Sequence, residues 1–264
     1  QAEDGIRDHC VTGVQTCALP IWTDGIKRLL ARVPQGIPAA HITAFNRLGW
    51  EYSRRLRQAS SPADTLAAFL WAGQTFCELI LKQGLGSATG IFTFNTAGLE
   101  LLQEARTRGL QTAMEQTIAP REIEQRLILE EQQQFPDWET PLPGADQSIA
   151  ELAARERAEW GMADIILCGS EFVREGVIAC GGRASQCQIV PYGVDLRFSL
   201  PERSPHGGPL RVLTVGGVGL RKGSPYVLAA AQALQGKAIF RLVGPLAVQP
   251  TARSLLETHL ELMG

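Results

Sequence analysis

Long apolar runs are missing from this chain. In its 264 residues the longest, such as Ala163 to Cys168, are broken by charge or glycine, well short of the roughly 20 residues that span a bilayer. A soluble protein is expected. An excess of one charge is missing too, since 25 Lys and Arg against 27 Asp and Glu leave a formal net charge of -2. Nucleic-acid backbones are met by clustered cations, so this balance points away from a nucleic-acid partner. The six cysteines form no C-x-x-C pair and the four histidines stand apart, which argues against a zinc site or redox dithiol and for reduced thiols in the cytoplasm. No D-x-D run is available to hold a divalent cation, and none is expected.

What is present is alternation. Apolar positions from Leu66 to Ile80 recur at helical spacing between Ser61-Pro62, a start signal, and Gly84, a stop. A β-rich run from Gly90 to Asn95 leads into a helix from Ala97 to about Arg108, and Leu110 to Met114 is a second strand. Arg121 to Gln134 reads as a solvated helix and Pro136 to Gly144 as a loop. The pattern repeats: helix Ile149 to Trp160, strand Ala163 to Cys168, a helix capped by Ser170 and running to about Cys180, and strand Gln188 to Val190. Parallel strands need crossover helices, so this segment predicts a doubly wound α/β domain. Ser199 to Pro209 has the composition of a linker. Beyond it come strand Leu210 to Val215, a helix capped by Ser224 and Pro225, strand Ala238 to Val243 and a helix from Thr251 to Met263.

The strongest local signal is Thr214-Val-Gly-Gly-Val-Gly-Leu-Arg-Lys-Gly223, joining the first strand of the second domain to its helix. Glycines let backbone approach a ligand, and a helix N-terminus offers N–H groups and partial positive charge to a phosphate. The spacing fits neither a dinucleotide fingerprint nor a P-loop. On local grounds a phosphate site and a tight turn with solvated basic residues are equally good readings. Asn95, Glu115 and Gln116 lie at or just beyond predicted strand ends, the edge where open α/β sheets take ligands; each by itself also reads as a solvated loop residue. His41 has no partner in view, and Cys168, on an apolar strand, is expected to be a buried, inert thiol.

Two resemblances extend this reading. Gln1 to Ile21 shows no periodicity, and QAEDGIRD and VTGVQTCALPI back-translate to strings resembling short-read sequencing adapters, with His9 and Cys10 at the index position. On that resemblance the segment is non-native, the protein enters near Trp22 without its own N-terminus, and the relevant cysteines are Cys77, Cys168, Cys180 and Cys187.

Then Ala163-Asp-Ile-Ile-Leu-Cys-Gly-Ser-Glu-Phe-Val173, Gln188-Ile-Val-Pro-Tyr-Gly-Val-Asp195 and Val215-Gly-Gly-Val-Gly-Leu-Arg-Lys-Gly223 resemble, in order and spacing, the retaining glycosyltransferases of family 4. The resemblance implies a GT-B fold of two Rossmann-like domains, both incomplete here: 22–198 on the acceptor side and 210–264 on the donor side, joined by 199–209. It implies a nucleotide-sugar donor whose diphosphate is held by Gly216, Gly217, Arg221 and Lys222, and a glycan, lipid or small-molecule acceptor near Asn95, Glu115 and Gln116. Lys222 takes the place of the family's diphosphate lysine, whereas the family's arginine falls on Gly217, a departure that Arg221 is placed to offset. Gly193 and Asp195 match the turn that closes the first domain and are read as structural.

No cofactor and no metal are implied, and the setting is cytoplasmic bacterial polysaccharide or glycoconjugate synthesis with peripheral contact at the inner membrane. In that family the E-x₇-E element lies farther along the second domain than Gly264, and the glycine-rich first loop is not found here, so no catalytic residue is assigned and the chain as it stands is expected to be inactive. The alternatives are a GT-B sugar-nucleotide epimerase and a noncatalytic nucleotide-binding module.

Overall fold

The computed structural model describes residues 36–140, 146–194 and 207–263. The adapter-like segment, Asp195 and most of the expected linker lie outside them. The described residues fall into two compact units, one of 36–123 and 146–192, the other of 124–140 with 193–194 and 207–263.

In the first unit the order is α1 (Asn46–Gln58), α2 (Pro62–Gln83), β1 (Gly90–Phe94), α3 (Leu99–Thr107), β2 (Gln111–Gln116), the start of α4 (Arg121–Gln134), α5 (Asp146–Met162), β3 (Ile165–Cys168), α6 (Glu171–Ala179) and β4 (Cys187–Ile189). The strands form one parallel sheet in the order β1-β2-β3-β4. In-register residues share a face, so the row Met114, Ile166, Cys187 points one way, into a core completed by Leu102, Trp160 and Val177. The opposite row, Phe92, Ala113 and Ile165, is open, with Phe92 51% exposed. The pair Ala163-Asp164 has a structural task. The Asp164 carboxylate accepts from the Thr112 N–H and hydroxyl, both at 2.9 Å, and fixes β3 beside β2.

The start of α2 is set by a capping box: the Ser61 hydroxyl accepts from the Asp64 N–H at 3.1 Å while Asp64 accepts from the Ser61 N–H at 3.0 Å. The Ser60 hydroxyl also donates to the Asp64 carboxylate, at 2.8 Å, and the hydrogen bonds from Ser60, then Ser61, hold the Asp64 pKa below its ordinary value. The helix buries the small residues Ala68, Ala72, Gly73 and Cys77. Helix α1 was not anticipated. Its apolar residues Leu48, Tyr52 and Leu56 do recur at helical spacing, but Gly49 and the polar residues Glu51, Ser53, Arg54 and Arg55 interrupt them; Arg55 lies 3.8 Å over the Trp71 ring.

The second unit contains β5 (Leu210–Val215), a 3-10 turn (Leu220–Lys222), α7 (Ser224–Ala233), β6 (Ala238–Val243), α8 (Pro250–His259) and β7 (Glu261–Met263), with a parallel sheet in the order β5-β6-β7. The α/β class with parallel sheets expected from alternation is what the chain adopts. Two local expectations are corrected. The spacing of Leu256, Leu260 and Met263 suits a helix, but the last helix ends at His259: Leu260 has extended backbone and residues 261–263 pair as a strand beside β6. The cap of α7 is Gly223, in the left-handed region at φ 67°; Ser224 is the first helical residue.

Residues 124–140, assigned by sequence to the first domain, pack in the second unit. Trp138 and Phe135 join Val218, Leu228, Phe240 and Leu256 in its core, and the Trp138 carbonyl accepts from the Gln249 N–H at 2.7 Å. Burying one such side chain contributes about 1.5–3 kcal/mol to holding this segment against the second sheet.

Candidate functional site

Two polar regions lie at the carboxyl ends of the two sheets, one per unit. In the second unit the chain leaves β5 through Gly216, at φ 141°, whose N–H donates to the Val243 carbonyl at 2.9 Å. Gly244, at φ 144°, leaves β6 so close by that a Cβ there would run into the Gly216 carbonyl. Both positions require glycine. The chain then passes Val218, bridged to Leu246, and Gly219, whose N–H donates to the Ser224 hydroxyl at 2.9 Å. After the turn at Leu220–Lys222 it enters α7.

Of the four residues the sequence singled out here, Gly216 is buried beneath the aliphatic stem of Lys222, which stands 3.7–3.9 Å from where a Cβ would be. The Lys222 side chain is exposed and forms no ion pair among the described residues. Gly217 is partly exposed with open space around it. Arg221 is exposed, and its Nε donates to Glu124 Oε1 at 2.6 Å. The turn therefore brings Gly216 and Lys222 together beside a helix N-terminus and leaves Arg221 occupied. The residues missed by sequence are Gly244, which the pair Gly244-Pro245 signalled as a turn, and Glu139, whose Oε1 accepts from the Leu220 N–H at 2.6 Å. No local pattern signals a contact between residues so far apart in the chain.

In the first unit the sheet end is organised by one face of α5. Glu156 accepts from Asn95 Nδ2 at 3.1 Å, Gln116 Nε2 at 3.0 Å and the Arg121 N–H at 2.7 Å. Glu159 accepts from the Thr96 N–H at 2.6 Å and the Gly98 N–H at 3.0 Å. Arg155, whose side chain is only 10% exposed, forks onto Glu100 at 2.8 and 2.6 Å and donates from Nε to the Thr96 carbonyl. These bonds hold Thr96 at φ 68°, an uncommon place for a β-branched residue. The same loop lies on Gly73 of α2, where a Cβ would strike the Thr96 carbonyl.

Burial pushes the Glu159 carboxyl up to about 7, with its two N–H donors and Arg155 pulling the other way. Burial works against ionisation of Glu100 as well, but the Arg155 fork and charge, a backbone N–H and Cys77 together outweigh it and hold that pKa low. Gln116 is fully buried, its Oε1 accepting from Trp160 Nε1 at 2.9 Å. It braces the sheet end rather than facing solvent. Asn95 and Glu115 are partly exposed: Asn95 Oδ1 accepts from the Thr117 hydroxyl at 2.9 Å, and Glu115 accepts from the Tyr192 hydroxyl at 2.9 Å. Tyr192 lies on Gly169, whose missing side chain leaves room for the ring. Burial and Glu115 push its phenol up to about 12.

Comparison with known proteins gives fold likenesses only. No protein-family model and no curated protein sequence matches the chain. Among solved structures it is similar to Anabaena HepE in complex with UDP, at 13% identity and TM-score 0.43, over 75% of this chain and 51% of that one. It is also similar to a UDP-glucosyltransferase from Polygonum tinctorium, at 14% identity and TM-score 0.45, over 94% and 63%. A third is a putative UDP-N-acetylglucosamine 2-epimerase from Listeria monocytogenes, at 11% identity and TM-score 0.39, over 76% and 51%. The chain thus spans about half to somewhat under two thirds of the length of these structures.

Cys168 is buried, and burial pushes its thiol up to about 12. Among the described residues no group of three or more His, Cys, Asp or Glu is arranged to hold a metal, and no helix is long and apolar enough to cross a membrane.

Proposed function

We propose that this chain is part of a GT-B glycosyltransferase of the retaining family 4 type. Its glycine-rich turn receives the diphosphate of a nucleotide-sugar donor, and its first unit faces a glycan, lipid or small-molecule acceptor. The observation that carries the reading is the meeting of Gly216, the stem of Lys222 and the start of α7 at the carboxyl edge of a parallel sheet. A diphosphate there has bare backbone to approach, a flexible cation and the positive end of a helix. Expelling a nucleoside diphosphate from a sugar builds negative charge on its oxygens, and fixed donors with a lysine stabilise that charge without a metal.

Gly216, Gly217 and Lys222 form the donor cradle in this reading, with Arg221 joining once it leaves Glu124. On the acceptor side, Asn95 and Glu115 face substrate and Gln116 positions them. Transfer of a hexose to a polysaccharide precursor at the inner membrane is the finer form of the proposal. The test is calorimetric titration of UDP, GDP and ADP into the chain, followed by incubation of the full gene product with radiolabelled sugar nucleotides, with and without acceptors. Binding of a nucleoside diphosphate and acceptor-dependent product are expected. Donor turnover without acceptor would favour an epimerase, and binding without turnover a nucleotide-binding module.

A further inference from the structure

The proposed diphosphate turn is already in contact with negative charge. Glu139 Oε1 accepts from the Leu220 N–H at 2.6 Å, and the carboxylate sits where a Cβ on Gly219 would be, in the space left by its missing side chain. Glu124 takes the Arg221 guanidinium at 2.6 Å. Between these two acids the segment is latched along α7: Glu131 accepts from the Tyr226 hydroxyl at 2.8 Å, and the Phe135 ring stands edge-on to Tyr226 at 5.5 Å. Next to Glu139, Trp138 anchors the segment in the core.

A carboxylate on a backbone N–H and another on an arginine are the contacts that a phosphate oxygen makes. We propose that the segment 124–139 is an internal cover of the donor turn, in which Glu139 and Glu124 occupy the contacts of a diphosphate and are displaced when one binds. The proposal rests on the donor reading above and adds a competition to it. Lys222, left unpaired among the described residues, is the cation through which an incoming diphosphate first engages. Displacing a charge-assisted hydrogen bond opposes binding, so removing the Glu139 charge strengthens diphosphate affinity roughly tenfold or more.

The experiment titrates UDP and inorganic pyrophosphate into the wild-type chain, Glu139→Gln, Glu124→Gln and Glu130→Gln. Glu130 serves as the control because it lies on the same segment, pairs with Arg126 and makes no contact with the turn. Trp138 emission, assigned through Trp138→Phe, reports displacement of the neighbouring Glu139 carboxylate. Tighter binding in Glu139→Gln and Glu124→Gln, little change in Glu130→Gln, and a Trp138 shift on binding to the wild type are expected. Equal gains in all three variants would mean that only net charge matters and would overturn the cover. Equal UDP affinity in wild type and Glu139→Gln would overturn it and leave the donor reading standing. Tighter pyrophosphate binding by Glu139→Gln with no binding of UDP would keep the cover and sink the donor reading; no binding of either anion to any form would sink both. Circular dichroism of each variant separates unfolding from loss of binding.

Discussion

Replacing Glu159 by glutamine tests the buried support of the first unit. In the folded chain burial raises this carboxyl from 4.5 to about 7. At about 1.4 kcal/mol per pH unit, that gap amounts to roughly 3 kcal/mol. The folded state holds the proton more tightly than the unfolded chain. The stabilising contribution is therefore complete below pH 4.5, declines as pH rises through the window from 4.5 to about 7, and is gone above it. Glutamine stays neutral throughout. Its single acceptor oxygen leaves either the Thr96 or the Gly98 N–H without a partner, a cost of about 1–3 kcal/mol that does not change with pH.

The groups around Glu159 are Arg155 and Glu156 on its own helix, with Glu100 and Cys77 reached through Arg155 from α3 and α2. Those groups are common to both proteins, so the wild-type minus variant difference isolates Glu159. Urea unfolding followed by tryptophan emission and circular dichroism at pH 5, 6, 7 and 8 measures that difference. Glu159→Gln should be less stable than wild type at pH 5, and the deficit should shrink or reverse by pH 8, the whole change approaching roughly 3 kcal/mol. Stability curves that run parallel from pH 5 to pH 8 would refute the reasoning.

Three further outcomes are expected. Thr112→Val removes a buried hydroxyl that donates to Asp164 and accepts from its N–H, and should lower unfolding free energy by about 1–3 kcal/mol in a urea titration. Gly244→Ala forces a side chain against the Gly216 carbonyl at positive φ; a loss of about 2 kcal/mol or more, with weakened nucleoside diphosphate binding, should appear in thermal melts and calorimetry. Arg155→Lys cannot fork onto Glu100 and should destabilise by about 1–3 kcal/mol, read again by urea unfolding.

The layout of the fold was largely legible because alternating helices and strands leave periodic signals, and because Ser61, Ser170 and the glycine turn carry local chemistry that marks element ends. The geometry of the turn at Gly216–Lys222 was legible for the same reason. Its glycines and Lys222 are contiguous in sequence, so their juxtaposition needs no tertiary information. What was not legible arises from long-range pairing. Gln116 reads as a strand-end polar residue, yet Trp160 and Glu156 from α5 draw it into a buried network. Glu139 lies in a stretch that reads as loop, and only the packing of Trp138 against the second sheet brings its carboxylate to Leu220. The strand at 261–263 was missed for a third reason: three residues are too few to show a strand period, and Leu260 and Met263 continue the helical phase of Leu256.

The central claim is that the turn at Gly216–Lys222 binds a nucleoside diphosphate, and its most direct test is calorimetric titration of UDP into the wild-type chain and Lys222→Ala. One charge-assisted contact is worth about 1.5–3 kcal/mol, so the variant should bind roughly ten- to hundredfold more weakly while melting at the same temperature. Equal affinities, or no binding by the folded wild-type chain, would contradict it.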